Sequence, residues 1–203
     1  PDRGFRTLRD EIAEYLGRHN HLSVDAENIL ITQGGTQAIL VAQAIGKLLA
    51  DARGGSACLH CLTPTWMKLP VNQAKILGVP HDVVPFIFRD GTWIVPPMPQ
   101  FQDGDSPDVH MLFAVDPANP IGQVFPAAEL RSPRAFTILD ITYESMLYDG
   151  DGHLNLSEVA PLVESTFIVV SLSKTFAITG LRIGLLVPPP SLAAHRANVL
   201  TGH

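Results

Sequence analysis

Short runs of consecutive apolar residues alternate along this chain with segments whose apolar positions recur every three or four residues. Leu8, Ile12, Tyr15 and Leu16 form the first such stripe, a helix that Gly17 is placed to end. Ile29 to Thr32 reads as a short strand, and Gly34-Gly35 then turn into a helix running to about Leu49 on Ala38, Ala42 and Ile45. A strand over 57–62 follows, then a helix around 66–77 that stops at Gly78, then an extended stretch from Val83 to Phe86. The Pro- and Gly-rich stretch 90–107 reads as loop. Three more apolar runs predict strands near 109–115, 136–140 and 167–171, and Arg182 to Val187 predicts a last one. Pro188-Pro-Pro190 ends it, and Ser191-Leu-Ala-Ala reads as the start of a helix leading elsewhere.

Apolar runs of this length suit strands buried on both faces, and their alternation with helices predicts an α/β fold. The expected architecture is a mostly parallel sheet covered by helices on both faces, in three α/β/α layers. Ligands of such sheets bind at the carboxyl ends of the strands.

Composition narrows this picture only slightly. A chain of 203 residues can bury a good core as one domain, or most of one. With 46% hydrophobic and 17% charged residues it reads as a soluble globular protein. Its net charge of -6 argues against nucleic acid as the main partner. No apolar run approaches the roughly 20 residues of a membrane helix, residue 1 opens no signal peptide, and cytosol is the expected compartment. Cys58 and Cys61 form a C-x-x-C, yet three residues apart on a strand they point to opposite faces. No second cysteine pair completes a tetrahedral site, so they read as two buried thiols.

Candidate chemistry gathers at predicted strand ends. Lys174 is one of only four lysines and lies in Ser171-Leu-Ser-Lys-Thr, directly after the apolar run 167–170. A lysine entering a largely apolar pocket tends to lose its proton, which makes the amine a nucleophile for carbonyls. Ser171, Ser173 and Arg182 can together hold a phosphate. An amine beside a phosphate site suggests pyridoxal phosphate held as a Schiff base. Gly35 and Thr36 open a helix whose amides can face an anion, although Thr32 to Gln37 also reads as an ordinary tight turn. Trp66 can stack on a flat cofactor or serve as core or rim. Asn119 can donate to a phenolate oxygen or simply make an Asn-Pro turn. Asp140 can pair with a protonated pyridine nitrogen or cap a helix, with Tyr143 either beside the ligand or packed.

Taken together and in order, these segments resemble the large domain of the class I/II aminotransferases, pyridoxal-phosphate enzymes of fold type I. The resemblance begins at Gly4-Phe-Arg-Thr-Leu-Arg-Asp-Glu-Ile-Ala-Glu-Tyr-Leu16. It continues through N-P-x-G at 119–122 and D-x-x-Y at 140–143 to S-x-S-K at 171–174 and T-G-x-R-x-G at 179–184. It implies a transaminase acting on an amino acid and a 2-oxo acid, with Lys174 as Schiff-base lysine and then proton-transfer base. Asp140 would pair with the pyridine nitrogen, and Asn119 and Tyr143 would bind the phenolate oxygen. Gly35, Thr36, Ser171, Ser173 and Arg182 would hold the phosphate, and Trp66 would stack on the ring. A homodimer is also implied. Pro64-Thr-Trp66 and Ile178 to Gly184 look similar to histidinol-phosphate aminotransferase-like members.

The chain departs from the family pattern in two respects. Only Gln123 to Thr137 separates N-P-x-G from the D-x-x-Y strand, so at most one or two helical turns fit there, over Ala127 to Leu130. The expected organisation is residues 1–187 as a partial cofactor-binding large domain and 188–203 as the start of a connection. The family's small domain, with its substrate-carboxylate arginine, would then lie outside the chain. Arg3, Arg6 and Arg9 read as solvated helix-face charges. The same cradle also serves β-elimination, decarboxylation and oxidase chemistry, and aminotransferase-like sensor domains without catalysis.

Overall fold

The computed structural model describes residues 3–66, 68–98, 108–132, 134–149, 152–157 and 163–192. Seven strands form one sheet in the order β1-β9-β8-β7-β6-β2-β3, where β1 is Leu30–Gln33, β2 Ala57–Thr63 and β3 His81–Pro85. The others are β6 Val109–Val115, β7 Ala135–Asp140, β8 Thr166–Ser171 and β9 Ile183–Val187. Pairings β3–β2, β2–β6, β6–β7 and β7–β8 are parallel, whereas β9 runs antiparallel to both of its neighbours. The expected mostly parallel α/β sheet is therefore present.

Two cores flank the sheet. On one face, α2 (Gly34–Ala52) and α3 (Lys68–Leu77) set Ala38, Ala42, Ile45, Val71 and Ala74 against Leu59, Met111, Phe113, Phe167 and Val169. The opposite face is covered by α1 (Arg6–Asn20), through Ile12 and Leu16, and by irregular segments carrying Phe125, Leu130, Leu154 and Leu156. Phe113 and Phe167 are fully buried, each contributing about 1.5–3 kcal/mol of transfer free energy to the central strands.

Several boundaries differ from expectation. Gly17 does not end α1, which runs three residues further to a left-handed cap at His21 (φ 54°). A glycine inside a helix costs only about 1 kcal/mol, and burial of Ile12, Leu16 and Asn20 along one face outweighs that. The stretch assigned to loop contains part of a hairpin, β4 (Ile87–Arg89) with β5 (Thr92–Ile94). Asp90 (φ 51°) and Gly91 (φ 81°) form its two-residue turn. Residues 99–107 of that loop lie outside the described residues. Between β6 and β7 the described residues contain turns over 127–130 and no α-helix, in keeping with the short crossover. Pro190–Leu192 makes a single 3-10 turn, and the helix expected beyond it falls outside the described residues.

Arg9 corrects a further expectation. It is buried, and its guanidinium donates to the Ala26 carbonyl at 2.7 Å, tying α1 to the turn before β1. Arg3 and Arg6 pair with Glu27 nearer the surface.

Candidate active site

Residue alternation places Val115, Asp140 and Ser171, at the carboxyl ends of three neighbouring parallel strands, on the face covered by α2. The start of α2 lies over those ends. Gly184 makes this approach possible: a Cβ there would meet the Gly34 carbonyl carbon and lie 2.6 Å from the Gly35 nitrogen. Gly34 itself adopts φ +71°, which leads directly from β1 into the helix.

The result is a cavity of about 400 Å³. Gly35, Thr36, Trp66, Asn119, Asp140, Tyr143, Ser171, Ser173, Lys174 and Arg182 all line it, so every candidate from the sequence arrives at one site. Its walls are more polar than expected, with Thr142 and Thr179 added to the serines, and Lys174 is exposed rather than enclosed by apolar side chains. Trp66 stands at the rim, 61% exposed.

The cavity gathers groups of opposite electrostatic character. The first turn of α2 offers amides that have no partner within the helix. Arg182 Nη2 lies 3.4 Å from Thr36 Oγ1, and Ser171 Oγ accepts from the Ser173 amide at 3.4 Å. Ser173 Oγ is buried with no hydrogen-bond partner. A buried hydroxyl without a partner is costly, and here it stands beside a guanidinium and a helix N-terminus. This donor set suits a phosphate.

Asp140 lines the same cavity. It touches the cavity but is otherwise enclosed by protein, and burial raises its carboxyl to about 6 despite two bonds from Thr142. The Thr142 amide donates to Asp140 Oδ1 at 3.0 Å and the Thr142 hydroxyl at 2.5 Å. A cation placed against Asp140 would offset that desolvation. Asn119 Nδ2 donates to the Tyr143 hydroxyl at 2.7 Å, which leaves the phenol proton available to a ligand. Donors for an anionic group, a carboxylate for a cationic ring nitrogen and a phenol for an oxygen acceptor are what pyridoxal phosphate requires, and the residues present fit it.

Sequence reasoning missed two neighbours of this site. Thr142 was legible as a hydroxyl two residues after a carboxylate, an Asx-type turn. Glu144 is fully buried and accepts from Tyr15 Oη (3.0 Å), Asn20 Nδ2 (3.1 Å) and Thr175 Oγ1 (3.0 Å). Those partners lie 124 to 129 and 31 residues away in sequence, so no local pattern reveals the network. A larger concavity of about 930 Å³ adjoins the turn at Asp116 to Asn119. None of its described lining residues is a lysine or arginine, so it lacks the donors an anionic cofactor requires.

A model of the family described as aminotransferase class I and II matches residues 1–201. The probable aspartate/prephenate aminotransferase of Thermus aquaticus is 31% identical over 206 residues, covering 98% of this chain and 51% of that protein. The aspartate/prephenate aminotransferase of Thermus thermophilus is 30% identical, with 98% and 50% covered. A solved Thermus thermophilus aspartate aminotransferase, a tetra mutant, matches with a TM-score of 0.77 at 26% identity, covering all of this chain and 54% of that one. The chain thus spans about half the length of these relatives. None of the three is a histidinol-phosphate aminotransferase, so they add nothing to that subgroup resemblance. With the ordered motifs gathered on one cavity and the family match running from residue 1 to 201, this chain belongs to the class I and II aminotransferases.

Proposed function

We propose that the protein carrying this chain is a pyridoxal-phosphate-dependent aminotransferase that moves an amino group between an amino acid and a 2-oxo acid. The observation that carries this reading is the convergence of Lys174, Asp140, the Asn119–Tyr143 pair and a phosphate-suited donor set on one cavity. When bound, the cofactor supplies an electron-accepting ring and a carbonyl carbon that stores the amino group between half-reactions. Lys174 Nζ would hold the cofactor through its carbonyl carbon and would move the proton at the substrate's α-carbon. Asp140 would favour a protonated ring nitrogen. Tyr143, oriented by Asn119, would offer its phenol proton to the ring oxygen. Gly35, Thr36, Ser171, Ser173 and Arg182 would hold the phosphate, and Trp66 would stack on the ring.

Residues 1–187 are proposed as most of the cofactor-binding domain, with 188–203 leading to a further domain that supplies the substrate-carboxylate site. Aspartate, which appears in the relatives' names, is the first donor to test. By resemblance to the family we also infer a homodimer. No helix among the described residues is long and apolar enough to cross a membrane, and a cytoplasmic location is proposed with this reading.

An absorbance spectrum tests the assignment. Full-length protein mixed with pyridoxal phosphate is expected to show a protein-bound cofactor band that Lys174→Ala lacks, and aspartate or a mixed amino acid pool is expected to convert it to the pyridoxamine form. A bound band that amino acids leave unchanged, or that they convert with release of ammonia, would reject transamination. Identical spectra for wild type and Lys174→Ala would reject the role of Lys174.

A further inference from the structure

The amino ends of β2 and β6 carry a second cluster of chemistry, on the opposite face of the sheet from the cavity. Cys58 and His60 lie two apart on β2 and therefore share a face, and His110 on β6 is the register partner of Cys58. Leu62 and Leu112, on that same face of their strands, belong to the core beneath α1. Val115, which lines the candidate active site, is five residues beyond His110, about 16 Å along the strand.

His60 Nε2 and His110 Nδ1 share a hydrogen bond at 3.1 Å, and one ring nitrogen of each histidine lies with Cys58 Sγ within 4.8 Å of one another. Two imidazole nitrogens on one tetrahedral zinc stand about 3.3 Å apart, given zinc–nitrogen bonds near 2.0–2.1 Å. A zinc-bound sulfur stands about 3.5 Å from a nitrogen on the same ion, given a zinc–sulfur bond near 2.3 Å, so the three side chains need only draw together around the metal. Asp82, the register partner of His60 on β3, places its Oδ1 2.7 Å from His60 Nδ1. A carboxylate accepts only, so Nδ1 carries a proton, and in the neutral ring the lone pair is left on Nε2, the nitrogen that faces His110. A carboxylate behind the far nitrogen of a histidine is how metal-binding imidazoles are oriented. Cys61 lies on the other face of β2 and buried, so it is not a disulfide partner for Cys58 across the strand.

We propose that Cys58, His60 and His110 bind a first-row divalent transition metal, zinc above all, with Asp82 as the orienting carboxylate. The donor set is one thiolate and two imidazoles, which suits zinc and leaves a fourth position for water or an external ligand. Binding replaces the Cys58 thiol proton, which leaves to solvent. His110 shifts its remaining proton to Nε2, so that Nδ1 can bond the metal. Two adjacent parallel strands supply all three ligands, and the metal cross-links them at the end of the sheet remote from Lys174.

Metal-stripped full-length protein is titrated with Zn²⁺ by calorimetry, and the loaded protein is studied by X-ray absorption at the zinc edge. The expected result is one zinc per chain with one sulfur and two imidazoles in its shell. Cys58→Ser and His110→Gln are expected to weaken binding at least tenfold, Asp82→Asn roughly tenfold to a hundredfold, and Lys174→Ala less than twofold. Asp82 has a largely exposed side chain on the edge strand β3, so its variant is expected to fold even if a variant on β2 or β6 does not. Absence of binding, a shell without sulfur, or an affinity unmoved by Asp82→Asn and by the ligand variants would overturn the proposal.

Discussion

Asp140 and Asp116 are both buried carboxyls whose charged forms the fold disfavours. Burial raises Asp140 to about 6, against two bonds from Thr142. It raises Asp116 to about 7, against one bond from the Phe125 amide at 3.0 Å. Their ordinary value is 3.8, so between there and the raised values the folded cofactor-free protein binds more protons than the unfolded chain. Stability therefore falls as pH rises through that window, by up to about 1.4 kcal/mol per pH unit for each group while it titrates. Thermal melts of cofactor-free protein from pH 4 to 8 are expected to show this decline, with Asp116→Asn removing the part between pH 6 and 7. An unchanged slope there in Asp116→Asn would contradict the assignment. The placement of Asp140 and Lys174 on one cavity was legible because each follows an apolar run closely and belongs to an ordered motif. The His60–His110 pair was not, because its members are fifty residues apart and meet only through strand register.

At the scale of elements, Glu144 joins α1 to the turn after β7 and to α4 (Leu172–Thr175), the short helix carrying Lys174. Burial, and then the Glu144 charge, push the Tyr15 phenol upward, so it remains a donor. Glu144→Ala leaves the buried Asn20 amide with only the Leu154 carbonyl and the half-buried Thr175 hydroxyl without that acceptor, against a cost of about 1–3 kcal/mol for a buried group left unsatisfied. The expected outcome is a loss of about 3 kcal/mol in denaturant unfolding together with weaker cofactor binding, partly restored in Glu144→Gln. A Glu144→Ala protein as stable as wild type would remove the network from the account. Strands β2, β6 and β8 were legible because a fully buried strand is a continuous apolar run. The β4–β5 hairpin was not, since three-residue strands carry little pattern and Asp90-Gly91 reads equally well as loop. The end of α1 was misread because tertiary burial outweighed a local glycine.

At the scale of the molecule, the candidate cofactor site is a junction of residues from α2, β7, α4 and the loops between them rather than the property of one element. A ligand bound there stabilises the native state only, by about 2.7 kcal/mol at a hundred times its dissociation constant. Pyridoxal phosphate at that excess is expected to raise the melting temperature of full-length protein, about twice the length of this chain if it matches its relatives, by about 3–5 °C, and to raise that of Lys174→Ala by less. Equal shifts would mean that the lysine adds nothing to cofactor retention. The antiparallel strand β9 has a further consequence, in the order of synthesis. β1, at residues 30–33, occupies the sheet edge and finds its register in β9, at residues 183–187. A ribosome adding about 5–20 residues per second needs roughly 10–30 s to make the intervening chain. Throughout that interval the glycine turn after β1 has its strand unpaired, so the candidate phosphate site is completed only once β9 has emerged, even though its first residues emerge early.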